Sequence, residues 1–97
     1  MQKLFIFGAG GFGREVAWLA TQALGPDWEL IFLVNKMKYK REFVNEIACH
    51  LISEIIFRST DRFVVSIALP NIREQMVKLC HEYGLRELTV IHPRTEM

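Results

Sequence analysis

Gly8-Ala9-Gly10-Gly11-Phe12-Gly13 satisfies the pattern G-x-G-x-x-G, a motif whose chemistry is carried by backbone. Glycines let a turn approach an anion closely. The unpaired amides of a helix start, at the positive end of its dipole, then hold a pyrophosphate. The competing meaning is a tight turn with no ligand. A fold that prefers NAD places an Asp or Glu about 20 residues further on, against the ribose hydroxyls. Here that segment reads Val34-Asn35-Lys36, without a carboxylate, so NAD loses ground to NADP or a different nucleotide. Asn35 offers hydrogen bonds to a ribose or a base, and Lys36 offers a charge to a phosphate. A third segment, Ile67-Ala68-Leu69-Pro70-Asn71, places Ala68 and Asn71 where they would line a crevice opposite the glycines.

The remaining reactive side chains do not form a constellation. His92 has no acid within three residues placed to orient it as a base, so no catalytic residue is assigned. His50 and His81 each follow a cysteine, Cys49 and Cys80, on segments read as helical. Neighbouring helical residues point about 100° apart and do not share a metal or a proton. Two cysteines so far apart also give neither a zinc site nor a disulfide framework, and each falls in an apolar segment that would bury it. No metal site is expected.

Positioning the glycine turn requires a strand before it and a helix after it, and the sequence supplies both. Leu4-Phe5-Ile6-Phe7 is a continuous apolar run of the kind buried on both faces of a parallel sheet. Phe12, Val16, Leu19, Ala20 and Ala23 then recur on one face of a helix that Gly25-Pro26 ends. Glu29 to Val34 and Phe63 to Ile67 read as a second and a third strand, and Leu88 to Ile91 as a fourth. Between the last two, Asn71 with Glu74 predicts a capped helix start. Ile72, Met76, Leu79, Cys80 and Tyr83 predict its buried stripe, and Gly84-Leu85 its end. Val44, Ile47, Ala48, Leu51, Ile52 and Ile55 recur at helical spacing and predict a further helix over 43–57. The expected architecture is a Rossmann-like, three-layer α/β domain spanning 1–97, its four-stranded parallel sheet ordered 2-1-3-4 with helices on both faces.

Composition sets the outer limits. The 97 residues suffice for one domain, and 51% hydrophobic with 24% charged residues is the balance of a globular chain. Twelve basic against eleven acidic residues exclude the basic excess of a general nucleic-acid binder. The short basic run Lys36, Lys38, Lys40 and Arg41 reads as a solvated loop or as attraction for an anionic ligand. No apolar run approaches the roughly 18–20 residues that cross a bilayer, and Leu4–Phe7 is too short for a signal peptide. A cytoplasmic location follows, without a membrane partner. Trp18 falls off the buried stripe of the first helix, as a docking residue or as an ordinary exposed one.

The run Lys3 to Ala17 resembles the opening of the sugar O-acyltransferase family, which includes sialic acid O-acetyltransferases and bacterial UDP-amino-sugar N-acetyltransferases. The similarity resumes at Phe63-Val64-Val65-Ser66-Ile67-Ala68 and passes through Asn71-Ile72-Arg73. It closes at Gly84-Leu85 and Ile91-His92-Pro93. It implies a domain that binds a nucleotide sugar, typically a UDP-sugar. On the family pattern, Gly8, Gly10, Gly11, Phe12 and Gly13 would meet the diphosphate. Asn35 and Lys36 would meet the uridine, and Ala68 and Asn71 would close the pocket. Two departures stand out. Asn35-Lys36 replaces the acidic pair usual after the second strand, and Asn45-Glu46-Ile47-Ala48 replaces Asn-Gly-x-Pro.

In that family, acetyl-coenzyme A and the catalytic histidine belong to a C-terminal left-handed β-helix, the part that trimerises. These 97 residues carry no counterpart of it. The expectation is therefore a binding domain, part of a sugar acetyltransferase or a stand-alone relative, with a nucleotide sugar as its ligand and no cofactor of its own. Two other readings stay open: an NAD(P)-binding domain of an oxidoreductase or redox sensor, and a docking domain that has lost its ligand.

Overall fold

The run Leu4–Phe7 is the centre of the sheet, and its four side chains are at most 2% exposed. The computed structural model describes residues 2–8, 11–36, 43–44, 47–67 and 69–88. Along the chain these form β1 (Gln2–Phe7), α1 (Gly11–Leu24), β2 (Trp28–Val34), β3 (Phe43–Val44), β4 (Ile47–Leu51) and a 3₁₀ turn (Ile52–Glu54). β5 (Arg62–Val65), α2 (Pro70–Glu82) and β6 (Arg86–Glu87) follow. The sheet runs β3-β4-β2-β1-β5-β6. Its five strands β4-β2-β1-β5-β6 are parallel, and β3 adds an antiparallel edge through Phe43 opposite Ala48.

The α/β architecture with a parallel sheet is as expected; the four-stranded order 2-1-3-4 is not. The additional parallel strand, β4, comes from the segment expected to be a helix over 43–57. Cys49 pairs with Phe32, His50 with Leu33 and Leu51 with Val34 on the outer side of β2. Ile47, Cys49 and Leu51 turn toward the α1 face, while Ile52, just after the strand, is buried on the α2 face. An apolar strand face followed by a tight turn that carries the next apolar residue to the other side reproduces helical spacing without a helix.

Each face of the sheet has its own core. On one, Leu4, Ile6, Phe32, Val34, Cys49 and Val64 pack against Val16, Ala17 and Ala20 of α1. Ala23, expected on that stripe, is exposed, and Ala17 takes the inward position. On the other, Phe5, Phe7, Ile31, Leu33, Phe63 and Val65 pack under Cys80 of α2, with Met76, Val77 and Leu79 partly buried beside it. Ile72 and Tyr83, expected in the α2 stripe, are 38% and 40% exposed at its ends. The connection from β4 to β5 completes this layer. The Phe57 ring lies edge-on between Phe5, 4.9 Å away, and Tyr83, 6.0 Å away. It covers the sheet where a helix was expected.

α2 begins one residue before the expected cap. Pro70 takes its first turn, as its fixed φ and missing N–H allow, with Leu69 at the cap position and no capping side chain. Asn71 is therefore inside the helix. Its other end is as expected: Gly84, at φ 86°, donates its N–H to His81 O, and Leu85 donates to Cys80 O. β6 starts at Arg86, ahead of the expected Leu88, whose N–H donates to Phe63 O. Thr89 to Ile91 lie outside the described residues.

Candidate functional site

The carboxyl ends of β1 and β5 lie side by side, Phe7 opposite Val65, and the chain leaves them in opposite directions. From β1 it turns into α1 on one face; from β5 it turns into α2 on the other. Such a divergence opens a crevice at the sheet's carboxyl edge, the place where open α/β sheets take their ligands. Gly8 and Gly13 of the glycine motif sit at this point, one after a strand and the other in the first turn of a helix.

Gly8 leaves β1 at φ 107°, a conformation suited to glycine, while its N–H still donates to Leu33 O at 2.9 Å. A Cβ on Gly13 would collide with the Gly8 carbonyl oxygen, so the first turn of α1 rests directly on the strand end. Ser66, at the end of β5, completes the junction. It is 5% exposed, and its hydroxyl lies 2.9 Å from Gly8 O and 3.0 Å from Phe7 O. Sequence reasoning passed over Ser66 as one more residue of an apolar strand. The signal was a lone hydroxyl in the run Phe63 to Ile67, at the carboxyl end of the sheet.

The residues singled out in the sequence divide accordingly. Gly8 and Gly13 meet at the junction, and Gly11 and Phe12 form the start of the α1 backbone. Asn35 and Lys36 follow the end of β2, the neighbour of β1, and both are exposed. Asn71 is exposed in the first turn of α2. Gly10 and Ala68 lie outside the described residues, as does His92. β4 brings a further group to this edge, one that the helical reading hid: His50, half-buried, whose Nδ1 lies 3.9 Å from Glu54 Oε1. Glu54 in turn accepts the Leu51 N–H at 3.0 Å.

The electrostatics suit an anion. Neither α1 nor α2 has an acidic residue in its first turn, so no carboxylate there offsets the positive end of either helix dipole. Arg14 and Arg73 stand in those turns instead, Arg73 also reaching Glu87 at 3.5 Å. Cys49-His50 and Cys80-His81 do not pair: the first two alternate across β4, and the His81 ring stacks edge-on against Phe63. Among the described residues no group of His, Cys, Asp or Glu is arranged to hold a metal ion, and no helix is long and apolar enough to cross a membrane.

Residues 3–79, from β1 through most of α2, match the sequence family described as the PglD N-terminal domain. The chain belongs to the PglD N-terminal domain family. This agrees with the resemblance carried by Lys3 to Ala17 and Phe63 to Arg73. The family is the N-terminal domain of PglD-type sugar acetyltransferases, and the match includes the glycine turn, Asn35, Lys36, Ser66 and Asn71. No curated protein matches the chain significantly.

Proposed function

We propose that this PglD N-terminal domain binds a nucleotide sugar of the UDP-sugar class at the crevice between β1 and β5, as the recognition domain of a sugar acetyltransferase. The observation that carries the reading is the junction of Gly8, Gly13 and Ser66, where two helix starts without acids lie at one sheet edge. In this reading Gly10, Gly11, Phe12 and Gly13 meet the diphosphate through backbone amides, and Gly8, whose own N–H is held by Leu33 O, shapes the turn that presents them. Asn35 and Lys36 meet the uridine side. Ala68 and Asn71 close the crevice from the β5 side. Family membership supplies the sugar-acetyltransferase context, and Asn35-Lys36, with no carboxylate at the end of β2, weighs against NAD.

The test is thermal melting with UDP, a UDP-sugar and NADH. A ligand at 100 times its dissociation constant stabilises the fold by about 2.7 kcal/mol. The melting temperature should rise with UDP or the UDP-sugar and stay unchanged with NADH. A rise with NADH alone overturns the assignment.

A further inference from the structure

Two carbonyl oxygens lie within hydrogen-bond reach of the Ser66 hydroxyl, which has one proton to give. Phe7 O already accepts the Ser66 N–H at 3.0 Å, as part of the strand pairing. Gly8 O, at 2.9 Å from the hydroxyl, is therefore the acceptor that benefits most from the proton. That oxygen also fills the space a Gly13 side chain would take, which sets it on the inner side of the turn, between β5 and the first turn of α1.

The direction of this one carbonyl matters for an anion. A peptide plane turned the other way would aim its negative end at the crevice and repel a diphosphate. Held inward, it leaves the crevice to the amides at the start of α1, whose first N–H groups have no partner within the helix. We propose that Ser66 is a positioning residue of the anion-binding turn, its hydroxyl locking the Gly8 carbonyl against α1 so that the following amides face the ligand. This rests on the nucleotide-sugar reading for the identity of the ligand, though not for the lock itself. Replacing the hydroxyl leaves the Ser66 N–H in place, so the pairing of β5 with β1 does not depend on it.

The experiment compares the chain with its Ser66→Ala and Ser66→Thr variants by amide hydrogen exchange without ligand and by calorimetric titration with UDP. In Ser66→Ala, the amides of residues 15–17, the first in α1 with acceptors in its opening turn, should exchange at least tenfold faster while those of β1 and β5 hold. UDP affinity should fall tenfold or more. Ser66→Thr, which keeps the hydroxyl, should match the original chain in both. Unchanged exchange at residues 15–17, a uniform increase across the sheet, unchanged UDP affinity beside a loosened turn, or a threonine variant that behaves like alanine would each overturn the proposal. If the turn loosens selectively in a protein that takes up no UDP, the lock stands and the nucleotide reading fails instead.

Discussion

The carbonyl oxygen of Gly8 occupies the space that a side chain on Gly13 would need, so β1 and α1 meet backbone to backbone. This contact brings the start of the helix onto the end of the strand and fixes where its free amides lie. The last glycine of the motif is thus a packing requirement of this domain, separate from any ligand.

A methyl group at Gly13 must displace backbone, which no rotamer change relieves. Gly13→Ala should cost about 3 kcal/mol in urea unfolding, the upper end for overpacking, with or without nucleotide. Gly84→Ala is the comparison, since its Cβ would meet nothing within 4 Å and only the left-handed φ of 86° opposes it. That strain is worth about 1 kcal/mol. Equal losses at the two positions would mean that the strand and helix do not touch at Gly13.

Phe57 and Ile56 test the part of the fold that the sequence concealed. Phe57 lies edge-on to both Phe5 and Tyr83, whereas Ile56 is 95% exposed. Phe57→Ala should therefore cost about 3 kcal/mol and Ile56→Ala less than about 0.5 kcal/mol, measured by urea unfolding. Similar costs would contradict the packing of this connection on the sheet.

These residues also explain what was legible beforehand. β1, α1, β2, β5 and the end of α2 follow from signals with one physical meaning. Examples are an apolar run closed by glycine, a stripe on one face, and Gly84 beside Leu85. Ile47 to Ile52 carry a signal with two meanings, because a strand apolar on one face and then bent toward the other repeats much as a helix does. Pro70 displaced the expected asparagine cap, since a residue without an N–H and with a preset φ suits the first helical position better. At the site, the glycine turn was legible because its chemistry is local. The part played by Ser66 was not, because it depends on pairing across 58 residues of sequence.

Cys80 makes stability depend on alkaline pH. Its burial, and secondarily the negative charge of Glu87, push the thiol from 9.0 up to about 12. Between these values the unfolded chain has released the proton and the folded chain retains it. Stability is therefore constant with respect to this group below 9.0 and falls as pH rises toward 12. The slope approaches about 1.4 kcal/mol per pH unit within that window. Urea unfolding should show the difference between the original chain and Cys80→Ala shrinking as pH rises through it. A difference that stays constant would contradict the shifted thiol.

The proposed site puts a uridine diphosphate group on the glycine turn at the carboxyl edge of the sheet. Its most direct test is titration of the ¹⁵N-labelled chain with UDP, following each backbone amide by NMR. Shifts should concentrate at residues 8–14, 35–36 and 66–72, where β1, β2 and β5 end and α1 and α2 begin. The opposite edge offers an internal control, a cavity of about 310 Å³ lined by Ala20, Thr21, Gly25, Pro26, Trp28 and Leu30. Shifts confined to that cavity, or none anywhere at saturating UDP, would contradict the account.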